Sequence, residues 1–195
     1  MSAAGHGHGA EPGHAGTENK RIALLIAVLA LVLAFSETLG NGAQTTALSQ
    51  NIEASNLWAF FQAKTVRMTV LRTASEEVEL DLQRGLPAAA QQAVEQRIAA
   101  WRKTAERYES EPETGEGRKE LAARAKAAEK KRDLSLAAYH HYEVASAAVQ
   151  IAIVLASAAI ITGIGALIWI AAGLGVVGIG FCAIGFFAPT AVHLF

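Results

Sequence analysis

The last stretch of this sequence has no Asp, Glu, Lys or Arg: residues 144–195 are built mainly from Ile, Val, Leu, Ala and Gly. A bilayer core is about 30 Å thick and takes about 20 apolar residues per helix. The run therefore has room for two spans and a tight turn. Cysteine is nearly absent as well. A single Cys182 excludes an intramolecular disulfide, and inside an apolar run it behaves as a small apolar residue. Clustered basic charge is missing. The chain has 17 Lys and Arg against 18 Asp and Glu, and all but two of each set lie within 37–143. That charge-balanced middle argues against a nucleic-acid partner. No Ser-His-Asp set, Cys-His cluster or carboxylate pair is recognisable, and no Gly-rich loop leads into Lys-Ser or Lys-Thr. No active site, cofactor or metal centre is expected.

What is present is segregated. Residues 1–19 are a Gly, Ala and His tail with too little apolar surface to offset its ordering entropy, so disorder is expected. His6, His8 and His14 could hold a transition metal weakly, but a solvated low-complexity tail is the reading preferred. Lys20-Arg21 then precedes the uncharged run 22–36, a pattern shared by signal peptides and signal anchors. Ala34-Phe35-Ser36 would serve as a cleavage site, yet an uncleaved anchor over 20–39 is expected. Gly40-Asn41-Gly42 should end or bend this first helix.

The middle, 40–143, reads as helical. Between 45 and 83 apolar or small residues recur at Ile52, Ala59, Ala63, Val66, Val70 and Ala74, and Leu57, Trp58, Phe60, Phe61 and Leu71 widen the apolar surface. Such a helix would be roughly 60 Å long. It needs partners, so coiled-coil-like packing is inferred. Arg84-Gly85-Leu86-Pro87 is a stop and restart, with Gly85 suited to a left-handed cap and Pro87 to a first turn. A second helix follows over 88–108 with Ala90, Val94, Ile98, Trp101, Ala105 and Tyr108 on one stripe. After a break at 111–117, a third resumes with Leu121, Ala125, Ala128, Leu136 and Tyr139 inward. The chain must return to the bilayer by Val144, so two legs are expected, the returning one interrupted at 111–117.

In the C-terminal pair the turn is placed at Thr162-Gly163-Ile164-Gly165, between spans of about 144–161 and 166–187. Gly173 and Gly180, with Val176 and Val177 between them, offer a close-packing surface. The positive-inside rule applied to Lys20-Arg21 favours a cytoplasmic N-terminus, whereas Lys126, Lys130, Lys131 and Arg132 pull the other way.

Candidate interaction residues are few. Glu53, Asn56, Phe60, Lys64 and Arg67 follow one helix face beside Trp58 and Gln62. They suit an anionic ligand or a partner helix, or register-setting ion pairs within the fold, and the structural or oligomeric reading is preferred. Gln150 and Ser157, seven apart in the second span, should face protein, or line a pore if the chain forms one. His140-His141-Tyr142 belongs at a headgroup boundary rather than at a metal.

The blocks Gln50-Asn51-Ile52-Glu53-Ala54-Ser55-Asn56-Leu57-Trp58-Ala59-Phe60-Phe61-Gln62-Ala63-Lys64 and Tyr142-Glu143 through Gln150-Ile151-Ala152-Ile153-Val154-Leu155-Ala156-Ser157 resemble a bacterial family of small membrane proteins classed as a domain of unknown function. The likeness extends over most of the chain from Lys20. That resemblance implies an architecture and no activity. Members often carry basic residues in the turn between the last two spans, and 162–165 carries none. The expectation is an all-α membrane protein. Three transmembrane helices would carry an extra-membrane helical hairpin between the first and second. It would be non-enzymatic and without a cofactor, in contact with the lipid bilayer of a bacterial inner membrane. It would act as a homo-oligomeric scaffold or envelope-associated assembly, with a channel or transporter-accessory subunit as the alternative.

Overall fold

The computed structural model describes residues 13–192, which form four α-helices and no strand: α1 Gly13–Gln83, α2 Ala88–Glu109, α3 Arg118–Thr162 and α4 Ala166–Phe187. Three of the four are long and apolar enough to cross a membrane. Of the expected disordered tail, residues 13–19 are helical, and 1–12 lie outside the described residues together with 193–195.

The helix expected to end or bend at 40–42 does not end there. α1 continues through Gly40-Asn41-Gly42 to Gln83. Two interior glycines cost about 1 kcal/mol each against alanine, and packing overrides that cost. Gly40 is buried, and a Cβ there would stand 3.4 Å from Tyr142 Cβ.

By contacts the chain divides into two units. One holds the described residues up to Thr45 and from Leu134, and the other is Thr46–Asp133. In the first, α1, α3 and α4 pack through Ile22, Leu29, Val149, Ala152, Ala156 and Ala171. The α3 contribution is a small-residue stripe, with Ala145, Val149, Ala152, Ala156 and Ala159 all buried. α4 answers with Ala171, Gly175, Gly178 and Gly185. Small residues let backbones approach, which matters where lipid removes the hydrophobic drive for helix association. Gly173, Gly180, Val176 and Val177, expected to make this contact, are exposed. α4 is apolar all round, so its own pattern cannot choose a face. The choice falls where Leu29 and Val149 crowd Gly175 and Gly178. Ser36, the last residue of the cleavage-like motif, is fully buried, donates to the Tyr142 carbonyl at 3.0 Å and shares a 2.8 Å bond with Ser146 Oγ. The turn falls between Thr162 and Ala166, where Gly163 takes φ 70° and its N–H donates to the Ala159 carbonyl.

In the second unit α2 and α3 lie along α1 one after the other. Arg102 of α2 pairs with Glu79, and Lys64 stands over the Tyr108 ring. α3 then opens with Arg118 on Thr65 and reaches Glu129 at Trp58 and Arg132 at Asn51. As α2 and α3 advance, their α1 partners recede, so both run antiparallel to α1. Gly85 at φ 88° and Pro87, whose carbonyl accepts from Ala90 and Gln91, make the first corner. The core is Leu57, Leu121 and Ala125, flanked by Trp58 and Phe61. Leu136, on the part of α3 that belongs to the first unit and expected inward, is 42% exposed, and its neighbours Ser135 and Tyr139 are more covered.

Candidate functional site

α1 carries two runs of three-four spacing, offset from each other by two residues. In the second unit one run is Ala47, Gln50, Ala54, Leu57, Phe61, Lys64, Met68, Leu71 and Ser75, all buried or half-buried. This is the face that α2 and α3 cover. Its hydroxyl is satisfied locally, since Ser75 donates to the Leu71 carbonyl at 2.7 Å.

The other run is exposed at every step. Ile52, Ala59, Val66 and Thr73 occupy one heptad position. Asn56, Ala63 and Val70 occupy the other, followed by Glu77. Ile52, Val66 and Val70 are 61%, 62% and 60% exposed. A shallow groove of about 490 Å³ lies along its later part, lined by Val66, Thr69, Val70, Thr73, Ala74 and Glu77 among others. The seam read from the sequence as a packing surface is therefore the outward one. Two residues are about 200° on a helix, so the two runs face opposite ways.

The predicted row runs along the border between the two faces, and its members differ in cover. Lys64 is buried, 3.9 Å from Glu111 and 3.8 Å from Glu116, with the Phe60 and Tyr108 rings at 5.4 and 4.9 Å. Trp58 also turns inward: its indole N–H donates to Glu129 Oε1 at 2.9 Å, and its ring meets Phe61 edge-on at 5.4 Å. Both hold the unit together. Glu53, Asn56, Phe60, Gln62 and Arg67 stay exposed and border or belong to the outward run. Glu53 and Arg67 make no ion pair among the described residues.

The α2–α3 corner gathers a cluster of polar contacts. Arg118 donates to Glu109 at 2.7 Å and lies over Phe61 at 4.9 Å. Sequence reading missed Glu120. The Ser110 hydroxyl donates to its Oε1 at 2.7 Å and the Glu111 N–H to its Oε2 at 3.1 Å. The Ser110 bond foremost, with backbone N–H groups and Lys119, holds this carboxyl below its ordinary value against opposing desolvation. An unfolded chain then takes up the proton more readily than the folded one. The stabilisation is complete above the ordinary carboxylate range and lost as pH falls through the lower folded value. Glu120→Gln should flatten the acid-side fall of the unfolding midpoint, measured between roughly pH 3 and 7.

In the first unit Gln150 is exposed, and its amide donates to Glu37 Oε1 at 3.4 Å. Ser157 donates to the Ile153 carbonyl of its own helix at 2.8 Å, so the two share no partner. Gln150 lines a groove of about 370 Å³ with Ser36, Glu37, Asn41, Tyr139 and Glu143. His141 is buried, donates from Nε2 to the Pro189 carbonyl at 3.0 Å and stacks on Phe181. Among the described residues no group of three His, Cys, Asp or Glu could hold a metal ion.

The profile of a family described as a domain of unknown function, DUF4337, matches residues 18–188, from just before the first apolar run to one residue past the end of α4. The chain belongs to the DUF4337 family. No curated protein and no solved structure matches it. In this DUF4337 chain the match takes in the outward run of α1, the polar corner and all three apolar helices.

Proposed function

We propose that this DUF4337 protein is a non-enzymatic integral membrane protein that assembles with copies of itself and acts as a scaffold or envelope-associated assembly. The carrying observation is the outward run of α1, where Ile52, Val66 and Val70 are each at least 60% exposed at heptad spacing. A solvated helix face has little reason to keep apolar side chains at three-four intervals, whereas a helix–helix interface requires them. The apolar stretches of α1, α3 and α4 supply the anchor in a bacterial inner membrane, and Lys20-Arg21 supports a cytoplasmic N-terminus there.

A channel or transporter-accessory role is the second reading. The groove with Glu37, Glu143 and Gln150 favours it, because carboxylates at the edge of apolar helices are often functional.

Mass measurement of the detergent-solubilised full chain is expected to give a multiple of 20.5 kDa. A monomer alone, together with no crosslinked species in native membranes, would overturn the assembly reading. Ion flux in proteoliposomes, abolished by Glu37→Gln, would move the assignment to the second reading.

A further inference from the structure

We infer that the outward run of α1 pairs with the same run of a second copy, as a parallel, in-register, two-stranded coiled coil over residues 52–73 with Asn56 against Asn56. This rests on the self-association reading and names its partner, direction and count.

Direction comes from the anchor. α1 begins in the apolar segment and continues unbroken into the second unit. Two copies inserted alike in one bilayer present α1 in the same sense, so seam against seam is necessarily parallel. The register comes from Asn56. With Ile52, Ala59, Val66 and Thr73 at d, the residues at a are Asn56, Ala63 and Val70. A single buried Asn at a pairs with its equivalent across a parallel dimer, because any slip leaves its amide against apolar neighbours.

The count comes from side-chain size. Ala59 and Ala63 are consecutive core positions, and all seven core residues are exposed in the single chain. Small residues let two helices close up but leave a void along the wider axis of a three- or four-stranded bundle. The flanks agree. In a parallel pair each g residue meets the e residue five positions on in its partner. This sets Gln62 beside Arg67 of the second copy and Ser55 beside Phe60, with no like charges opposed. Glu77, next at a, would face its own equivalent, and the seam ends before it.

The test uses the full chain with Cys182→Ser, so that introduced cysteines are the only ones. Under mild oxidation in native membranes, Ala59→Cys and Val66→Cys should each run at twice 20.5 kDa, and Arg72→Cys, exposed but off the seam, should stay at 20.5 kDa. Native mass should give two copies, and Asn56→Val should raise or broaden that number. Asn56, Ala59, Val66 and Arg72 are exposed, and Cys182, half-buried, gives way to a serine of similar size, so folding of the single chain is not at issue. A two-copy mass without crosslinking at Ala59 or Val66 overturns this seam and leaves self-association standing. A mass above two copies for the unsubstituted chain overturns the count. A monomeric mass with no crosslink overturns both this inference and the reading beneath it.

Discussion

Gly178→Ala should destabilise the apolar unit by about 2 kcal/mol, whereas Gly180→Ala, two residues along the same helix, should be neutral or slightly stabilising. The first added Cβ stands 2.5 Å from Val149 Cγ2 and 3.2 Å from the Ala145 carbonyl oxygen. Val149 is fully buried on α3, and a β-branched side chain in a helix has one strongly preferred rotamer, so it cannot swing aside cheaply. The carbonyl cannot move without moving the helix. Gly180 is exposed and has nothing within 4 Å of an added Cβ. Thermal unfolding in detergent measures both, and a loss of about 2 kcal/mol lowers the midpoint by ~5 °C in a chain of this size. Equal effects for the two variants would mean that α4 turns a different face to α3.

The second large effect is expected at Gly117, in the corner between α2 and α3. A Cβ there overlaps Glu120 Oε2 and the Glu111 backbone nitrogen, and lies 2.7 Å from Ser110 Cα. Two of the three obstacles are main chain. The third is the carboxylate that accepts from Ser110 and Glu111, so giving way would break those bonds. Gly117→Ala should cost about 3 kcal/mol, the upper end of ordinary overpacking. Local opening should follow, read as faster amide exchange through 110–117 and quicker tryptic cleavage at Arg107 and Arg118. Gly115 is the control. Its φ is 68° with open space around it, so Gly115→Asn should cost less than about 1 kcal/mol, since Asn tolerates the left-handed region. If Gly117→Ala proved as mild as Gly115→Asn, the corner would be looser than described.

The sequence made the helices legible and left their faces open. Three-four spacing, Gly85 with Pro87, and Gly163 with Gly165 mark where helices run and turn, because those signals are local. Which side of a helix is covered is not local. α1 has two runs of three-four spacing, and nothing within α1 says that Ala54, Leu57 and Lys64 go inward while Ile52, Ala59 and Val66 stay out. The decision belongs to α3, more than 50 residues away, through Leu121, Ala125 and Glu129. Lys64 misleads for the same reason: a lysine among polar neighbours reads as surface until Glu111, Glu116 and Tyr108 arrive around it. Gly40-Asn41-Gly42 is the reverse case. A strong local stop signal yields because Gly40 is where Tyr142 must pass.

Thr46–Asp133 is contiguous, but the other unit is made of two pieces separated by all of it. Ser36 finds its partners at Tyr142 and Ser146, and Leu29 meets Gly175 on a helix that ends at Phe187. A ribosome adding about 5–20 residues per second needs on the order of ten seconds to make that intervening chain. During this time the apolar part of α1 is without its partners, with Ile22, Leu29 and the Ser36 hydroxyl uncovered. Thr46–Asp133 has everything it needs to fold in the interval. Biosynthesis therefore has an order written into the topology: the charged helices close first, and the apolar unit is completed only when its last helix arrives.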